Sequence, residues 1–363
     1  MIDLLHNQAY FDHYDLDRFF IICIKFRILD LSTIEKYDSQ KMYKVYDKWP
    51  EIARESFESN HEPVDFHDID HIVFAGMGGS GTIGDLFSSI LSKSNIHVSV
   101  VKGYLLPKTV DKNTLVVVTS VSGNTSETLT VLDSAKKLDC SLIAFSSGGK
   151  MEKTCKNNQI LFRKIPIIHS PRASLVNFTY SILKILNSAL PIKNDDVIES
   201  LNELEIMGGE IFSHNLTDSN PAINLASWIT SIPIIYYPHG LQSAAIRFKA
   251  SLQENAKTHA ITEDIIESCH NGIVSWEKPS VVQPILLQGK DDYIKTKERF
   301  DIIKEYFIKN NIDFKEIHSV SGNILTKIMS LIFMLDYTSI YKAILSKTDP
   351  SPVLSIDYVK SRI

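Results

Sequence analysis

Short apolar runs recur along the first half of this chain, and each is followed within a few residues by a segment with helical spacing of apolar side chains. Residues 71–75, 115–119 and 141–145 are three such runs. A continuous apolar run is typical of a strand that is buried on both faces, as in a parallel sheet. Strands that alternate with helices over short loops predict an α/β fold with a doubly wound parallel sheet.

The second half of the chain repeats this alternation. Strands are predicted at residues 234–237 and 284–287, and helices at residues 242–257, 300–310 and 324–345. A chain of 363 residues exceeds the usual size of a single hydrophobic core. We therefore predict two subdomains, each a parallel sheet flanked by helices.

Further local features are predicted from spacing alone. They are a single helix over residues 34–58, a long helix over residues 175–190, a polar linker over residues 191–196, and strand-like segments at residues 165–168 and 273–274. Residues 1–33 mix acidic, histidine and aromatic residues without a clear period before one apolar stretch. We predict that this segment is an appendage to the fold.

Composition narrows the possible functions. The net charge of −5 gives no bulk attraction for nucleic acid or an anionic membrane, and no apolar run reaches the ~18 residues of a membrane span. The four cysteines are widely spaced and form no Cys-x-x-Cys or Cys/His cluster. We therefore expect no disulfide framework and no metal site, and predict reduced thiols in a cytoplasmic protein. An anionic ligand would need a local binding site.

A glycine-rich loop, residues 76–81 (GMGGSG), directly follows the first predicted strand. Its glycines let the backbone, including Gly79 and Ser80, approach a ligand, and the helix predicted to follow from about residue 82 attracts anions with the free N–H groups of its N-terminus. The spacing differs from that of a Walker loop, since no Lys-Ser/Thr follows, and from that of a dinucleotide loop. A tight turn without a ligand is the alternative explanation, so this loop alone is weak evidence for a phosphate site.

A second loop, residues 120–125 (SVSGNT), follows another predicted strand. It supplies the hydroxyl groups of Ser120, Ser122 and Thr125 at the start of a helix. Three hydroxyls and the helix N-terminal amides can bind a phosphate dianion without a cation. Capping of the helix by one Ser or Thr is the alternative, but it accounts for only one of the three hydroxyls. We therefore predict a phosphate site at this loop.

The two loops together resemble the sugar isomerase (SIS) fold. Further motifs narrow the resemblance to the bifunctional phosphoglucose/phosphomannose isomerases of archaea and some bacteria; they are Pro171-Arg172, residues 253–257 (QENAK), His270-Asn271, residues 349–353 (DPSPV) and Lys360. The opening IEKYD at residues 34–38 is also similar to the start of that family. Each motif is common, but the combination is specific.

The resemblance implies an α/β protein of two SIS-type doubly wound subdomains. The first would span residues 34–192 and hold the phosphate loops, and the second would span residues 193–363, with residues 1–33 as an extension outside the match. The implied substrates are glucose 6-phosphate, mannose 6-phosphate and fructose 6-phosphate. The resemblance further implies a homodimer in which His270 can be donated across the interface, and neither a cofactor nor a metal ion.

Aldose–ketose isomerisation moves one proton between C2 and C1 through a cis-enediol, so it needs a base, ring-opening groups and a cation near the developing oxyanion. The resemblance gives these roles to Glu254 as the base, His270 and Lys360 at ring opening, and Arg172 as the cation. The implied substrate-binding residues are Gly79, Ser80, Ser120, Ser122, Thr125, Arg172, His270 and Lys360. Without the resemblance, the four catalytic candidates are more simply explained as a solvated carboxylate, a surface histidine, a frayed lysine and a structural ion pair.

The sequence departs from the family at two positions. Val121 stands where the family often has an aromatic residue, and Ser351 stands where it has threonine, so the preference between the C2 epimers could shift. Lys257 and His259 are interpreted as part of a polar face, and Asp291-Asp292 as a turn.

Three other functions were weighed against isomerisation. A sugar-phosphate-binding SIS regulator would keep the hydroxyl loop but lack the base, the histidine and the terminal lysine, and all three are present here. An amidating hexosamine-phosphate enzyme would need a glutaminase domain with an N-terminal Cys nucleophile. A zinc-dependent mannose isomerase would need a His/Glu ligand cluster. The sequence favours the isomerase.

Overall fold

The computed structural model describes residues 29–362. Most of the predicted appendage, residues 1–28, therefore lies outside the described residues. Leu29 is buried against the main core, and the first helix begins at Leu31.

Strands and helices alternate through much of the chain, although the third strand follows the second directly and three helices precede the first strand. In the first half they are α1 (Leu31–Tyr37), α2 (Met42–Tyr46), α3 (Trp49–Phe57), β1 (His71–Ala75), α4 (Gly79–Leu91), β2 (His97–Val101), β3 (Thr114–Ser120), α5 (Ser126–Ala135), β4 (Ser141–Ser146), α6 (Gly149–Asn157), β5 (Leu161–Lys164) and α7 (Leu175–Ile185). In the second half they are α8 (Asn194–Ile211), α9 (Pro221–Trp228), β6 (Ile232–Tyr237), α10 (Gln242–Asn255), β7 (Ile261–Asp264), α11 (Ile265–Ser268), β8 (Val282–Gln288), α12 (Ile294–Lys309), β9 (Lys315–His318), α13 (Ile324–Leu345) and α14 (Leu354–Lys360).

The first sheet is entirely parallel, with the strand order β2-β1-β3-β4-β5. The β1 and β3 strands are fully buried, which explains their continuous apolar runs. In an open sheet of this order the chain reverses its winding direction between β1 and β3, and ligands bind in the crevice at the carboxyl ends of those two strands. The glycine-rich loop and the hydroxyl loop follow β1 and β3 respectively, so both lie at this crevice.

The second sheet is also parallel and has the order β7-β6-β8-β9, the same pattern with one strand fewer. Its equivalent crevice lies between the ends of β6 and β8. There the loop after β8 is a turn, and the carboxylate of Asp292 accepts a hydrogen bond from the amide of Gly289 at 2.7 Å. The prediction of two α/β subdomain sheets is confirmed, and Asp291-Asp292 forms the predicted turn.

Helix α13 is the central core element and packs against α8, α9 and α10. It is the one helix of the described residues that is long and apolar enough to cross a membrane, but 89% of its apolar window is buried inside the protein. Its apolar side chains thus serve the core between the two sheets.

The prediction of a single helix over residues 34–58 is wrong, because the segment forms the three short helices α1, α2 and α3. The carboxylate of Asp38 accepts a hydrogen bond from the amide of Tyr43 at 2.8 Å, and Lys41 adopts a left-handed conformation with φ 55°. A side chain that bonds a nearby backbone amide competes with the helix ladder. The apolar spacing predicted the buried face of this segment but not its breaks.

Three other local predictions need correction. Residues 165–168 form no strand, because Pro166 has no N–H and side chains of α7 and the preceding turn take its backbone bonds: Asn177 donates to the Pro166 carbonyl and Ser174 bonds Ile168. The strand of this region is β5, just before it. Residues 273–274 lie in a 3₁₀ helix. The linker is shorter than predicted, since α8 already begins at Asn194.

Candidate active site

The two loops at the first crevice are joined to each other. The hydroxyl of Ser80, in the first turn of α4, accepts a hydrogen bond from the amide of Val121 at 3.2 Å. Gly78 has a φ of +55°, which favours glycine. Because α4 and α5 both begin here, the amides of two helix N-termini face one small region, which is a suitable environment for an anion.

The hydroxyl loop is held in shape by its own side chains. The Ser120 hydroxyl donates to the Thr125 hydroxyl at 3.1 Å and accepts from the amide of Gly123 at 3.1 Å. Gly123 has a φ of +68° and lies so close to Gly148 that no Cβ fits. Ser120 is buried, while Ser122 is exposed. The loop is therefore a rigid turn that presents hydroxyl groups at the crevice.

The alternative of simple helix capping does not explain the hydroxyl of Thr125. Thr125 is the N-cap residue of α5, but its side chain makes no capping hydrogen bond to the helix. Its hydroxyl instead accepts from Ser120. The first-turn amides of α5 therefore have no side-chain cap from Thr125 and are available to an anionic ligand.

Arg172 lies against the glycine-rich loop. A Cβ at Gly79 would lie 3.2 Å from the Pro171 carbonyl and 3.4 Å from the Arg172 Cα, so the two backbones are in close contact. The Arg172 side chain is buried and donates through Nε to Asn255 Oδ1 at 2.7 Å. Its Nη2 donates to the carbonyls of residues 350 and 351 at 2.7 and 2.8 Å. Of the guanidinium nitrogens, Nη1 is the one that makes no hydrogen bond within residues 29–362.

Glu254 lies opposite that group, in the last turn of α10. Its Oε2 is 3.6 Å from Arg172 Nη1, and its side chain is 24% exposed. Glu254 also lines a cavity of about 630 Å³, together with Lys257, His259 and residues 352–356. That volume is within the range of small-ligand sites. Another cavity, of about 530 Å³ between residues 276–283 and 310–313, is lined by none of the predicted site residues.

Within one chain, Arg172 lies next to both Glu254 and the glycine-rich loop, whereas two other candidates make no hydrogen bond or ion pair with this group. His270 is exposed in the turn after α11, and Lys360 is the exposed last residue of α14. Neither side chain makes a hydrogen bond or ion pair with any of residues 29–362.

The sheet topology explains the separation of His270 from Glu254. Helix α10 has 14 residues, which corresponds to about 21 Å, and it runs back from the carboxyl end of β6 to the start of β7. Glu254 therefore lies at the amino edge of the second sheet. His270 follows the carboxyl end of β7, so it lies at the opposite edge of the same sheet.

Two polar residues near Glu254 were not assigned a role from the sequence. Lys257 is not a simple surface lysine, because its ammonium group bonds backbone carbonyls of two segments. Ser351 is buried, and its hydroxyl has no hydrogen-bond partner among the described residues. The motifs around both residues were visible in the sequence, but spacing alone gave no signal that these segments meet. Residues 29–362 contain no cluster of three or more metal-ligating side chains.

Family models match most of the chain. Residues 65–189 match the SIS domain, and residues 218–363 match the bacterial phospho-glucose isomerase C-terminal SIS domain. A hypothetical protein of Thermus thermophilus has a similar fold, with a TM-score of 0.66 at 13% identity over 91% of this chain and 88% of that one. The fold and its two loops define an SIS-domain protein.

Curated relatives narrow the class to one family. A bifunctional phosphoglucose/phosphomannose isomerase of Caldicellulosiruptor bescii is 33% identical over 82% of this chain and 90% of the relative. One of Aquifex aeolicus is 27% identical over 89% of this chain and 98% of the relative. The chain belongs to the bifunctional phosphoglucose/phosphomannose isomerase family.

Proposed function

We propose that the protein interconverts glucose 6-phosphate and mannose 6-phosphate with fructose 6-phosphate. The observation that carries this proposal is the carboxylate of Glu254, held 3.6 Å from the buried Arg172 beside two phosphate-type loops. A regulator that only binds a sugar phosphate needs the loops but not this pair. Membership of the isomerase family supports the same choice.

In the proposed reaction the phosphate binds at the crevice of the first sheet. The binding groups are Gly79, Ser80, Ser120, Ser122, Thr125 and the free amides of α4 and α5. Glu254 then removes the proton from C2 of the open-chain aldose and returns it to C1, which gives the ketose. The C1 oxygen gains negative charge as the enediolate forms, and Nη1 of Arg172 can stabilise that charge. His270 and Lys360 would move protons when the sugar ring opens.

The proposal also assigns different roles to the two subdomains predicted from the sequence. Residues 34–192 would hold the phosphate and residues 193–363 would supply Glu254, His270 and Lys360, with residues 1–33 outside both. Cys140, Cys155 and Cys269 are free thiols, which is consistent with a reducing compartment such as the cytoplasm.

A homodimer would supply the missing histidine. Glu254 and His270 of one chain lie at opposite edges of the second sheet, so a site that uses both would take them from different chains. In a two-fold dimer, the contact of the first chain with the second is repeated by the second with the first. Such a dimer would contain two equivalent sites, each with Glu254 of one subunit and His270 of its partner.

This arrangement predicts that two inactive variants complement each other. When Glu254→Gln and His270→Ala proteins are unfolded together and refolded, about a quarter of wild-type activity should return, because half the dimers are mixed and each mixed dimer has one intact site. The activity is measured as fructose 6-phosphate formation after one-to-one mixing.

The matched control is the double variant carrying both substitutions. Mixed with either single variant it should stay inactive, because no combination of its chains contains an intact site. Absence of complementation between the two single variants would show that His270 acts within its own chain or not at all.

The proposed activity is tested directly with each aldose. Glucose 6-phosphate and mannose 6-phosphate should both yield fructose 6-phosphate, measured by a coupled assay, and EDTA should leave both rates unchanged because no step uses a metal ion. Binding of fructose 6-phosphate without turnover of any of the three sugars would favour the regulator instead. Activity that EDTA removes would contradict the mechanism.

A further inference from the structure

Lys257 has an unusual backbone conformation directly after the helix that carries Glu254. Its φ is +54°, in the left-handed region. Helices often end with a residue in this conformation, but the usual residue is glycine or asparagine, since other side chains are strained there. Six other non-glycine residues of the described part of the chain share this conformation, so the role of Lys257 is argued from the contacts of its side chain.

The Lys257 side chain bonds backbone carbonyls from two segments of the chain. Its Nζ lies 2.7 Å from the Glu254 carbonyl and 3.4 Å from that of Asn255, at the open end of α10. The same atom lies 3.1 Å from the Asp349 carbonyl and 3.4 Å from that of Pro350. A lysine near a helix C-terminus commonly bonds the last carbonyls, but this one also fastens a second segment to them.

The second segment, residues 349–351, is also held by Arg172, whose Nη2 donates to the carbonyls of residues 350 and 351. The Asp349 side chain further accepts from the Ser351 amide at 2.9 Å. This short loop is therefore clamped between two cations, both of which adjoin Glu254. The pKa of Lys257 is lowered by its partial burial and by the nearby charge of Arg172.

The clamped loop leads directly into α14, whose last residue is Lys360. No residue of α14 is buried. The helix has little packing of its own to fix its position, and so its position depends on the loop to which it is attached.

We propose that Lys257 is a positioning residue that fastens the 349–351 loop to the carboxyl end of α10 and thereby sets where α14 presents Lys360. This inference rests on the proposed isomerase function, because only that function gives Lys360 a role. The fastening itself is a property of the fold that is measurable without turnover.

The variants Lys257→Gly and Lys257→Met distinguish two effects: loss of the hydrogen bonds from Nζ to the 349–351 loop, and a change in the stability of the fold. Glycine relieves the left-handed strain, so Lys257→Gly should keep the melting temperature of the wild type, while Lys257→Met keeps most of the stem and loses the charge. Both should lower kcat by at least about tenfold with little change in KM, because the phosphate loops are untouched while reacting groups shift. Lys257→Arg should recover part of the loss, since it can still donate to the carbonyls.

The matched control is Lys249→Met. Lys249 lies on α10, the helix that also carries Glu254, and its side chain makes no hydrogen bond or ion pair within residues 29–362. The kcat of the Lys249→Met variant should therefore equal that of the wild type. A loss of activity in the Lys257 variants that is fully explained by a lower fraction of folded protein would overturn the positioning role.

Hydrogen exchange provides the readout that does not need activity. Amides of residues 351–357 should exchange faster in Lys257→Gly than in the wild type, while amides of β1 and β3 should not change. Unchanged exchange in residues 351–357 would overturn the fastening. Faster exchange in a protein that turns over no sugar phosphate would instead contradict the proposed function and leave the fastening intact.

A double-mutant cycle with Lys360→Ala tests the link to Lys360. If Lys257 acts through Lys360, then Lys360→Ala should cost less than about threefold in the Lys257→Gly background, even though it costs much more in the wild type. Independent, multiplicative losses in kcat would overturn this link.

Discussion

Glu254→Gln should lower kcat for both aldoses by about 10³-fold while fructose 6-phosphate still binds. Glutamine has nearly the same shape as glutamate but cannot accept the C2 proton, and loss of a general base typically costs about 10²–10⁴-fold. The loops proposed to bind the phosphate lie on the other sheet and do not depend on this carboxylate, so the dissociation constant should stay within about threefold of the wild type. Turnover is measured by the coupled assay, and binding by calorimetry.

Solvent deuterium gives a second measurement of the same step. The wild type should incorporate deuterium at C1 of fructose 6-phosphate, because the proton on Glu254 exchanges with water, whereas the Gln variant should not. Glu305→Gln, on the exposed face of α12, is the matched control and should behave as the wild type. Near-normal turnover by Glu254→Gln would show that another group is the base.

The largest expected effect on stability comes from Asp336→Ala. Asp336 is completely buried on α13 and accepts hydrogen bonds from Arg247 Nε at 3.0 Å, Arg247 Nη2 at 2.6 Å and the Tyr46 hydroxyl at 3.1 Å. Removing this carboxylate leaves the buried Arg247 without its counter-charge. The free energy of unfolding should fall by about 3–5 kcal/mol, as measured by chemical denaturation.

Asp301→Ala is the matched control for this effect. Asp301 forms an ion pair with Lys304 on the surface, with its side chain 71% exposed. Loss of such a pair should change the free energy of unfolding by less than about 1 kcal/mol. Equal small losses in both variants would mean that the buried pair contributes no more than a surface pair.

The Asp336 pair also affects the site. Burial, the largest single effect, would by itself lower the pKa of Arg247, but the charge and hydrogen bonds of Asp336 together with the nearby Tyr46 and Glu254 outweigh it, so the net shift is upward and Arg247 stays charged. Its Nη2 donates to the backbone carbonyl of Arg172 at 2.8 Å. We therefore expect the Asp336→Ala variant to lose activity even where it remains folded. Without Asp336, the Arg247 side chain is no longer fixed in the position from which it bonds the Arg172 backbone, so Arg172 can shift.

Most strands and the positions of the glycine-rich and hydroxyl loops could be predicted from the sequence, because buried parallel strands leave continuous apolar runs and the loops follow them directly. The breaks between α1, α2 and α3 could not, since they depend on the Asp38 side chain bonding a backbone amide five residues away. Residues 165–168 resemble a strand in sequence because a short irregular segment that packs near the core can have the same run of apolar residues as a buried strand. In each case a local hydrogen bond overrode the apolar pattern.

The contacts that build the site join residues far apart in the chain, and the periodicity of apolar residues carries no information about such contacts. Arg247 and Asp336 are 89 residues apart, and each sits in a helix where a charged residue is ordinarily solvent-exposed. Lys257 was interpreted as part of a polar face because its partners, the carbonyls near residue 350, carry no side-chain signal. The roles of Glu254 and Arg172 came only from the family resemblance, and the residue roles remain predictions.

The turn after β8 has a consequence for how many ligands one chain can hold. In the first sheet the loop at the equivalent position presents hydroxyls and helix amides, whereas here the chain supplies its own anion, since the Asp292 carboxylate accepts from the Gly289 amide. A phosphate at this position would be repelled by the Asp292 carboxylate, and the Gly289 amide is already engaged in a hydrogen bond. The two halves share an architecture, but the loop of the second sheet already binds its own carboxylate. We therefore expect that, within residues 29–362, phosphate binds at the crevice of the first sheet and not at that of the second, which leaves the second half free to contribute side chains to chemistry.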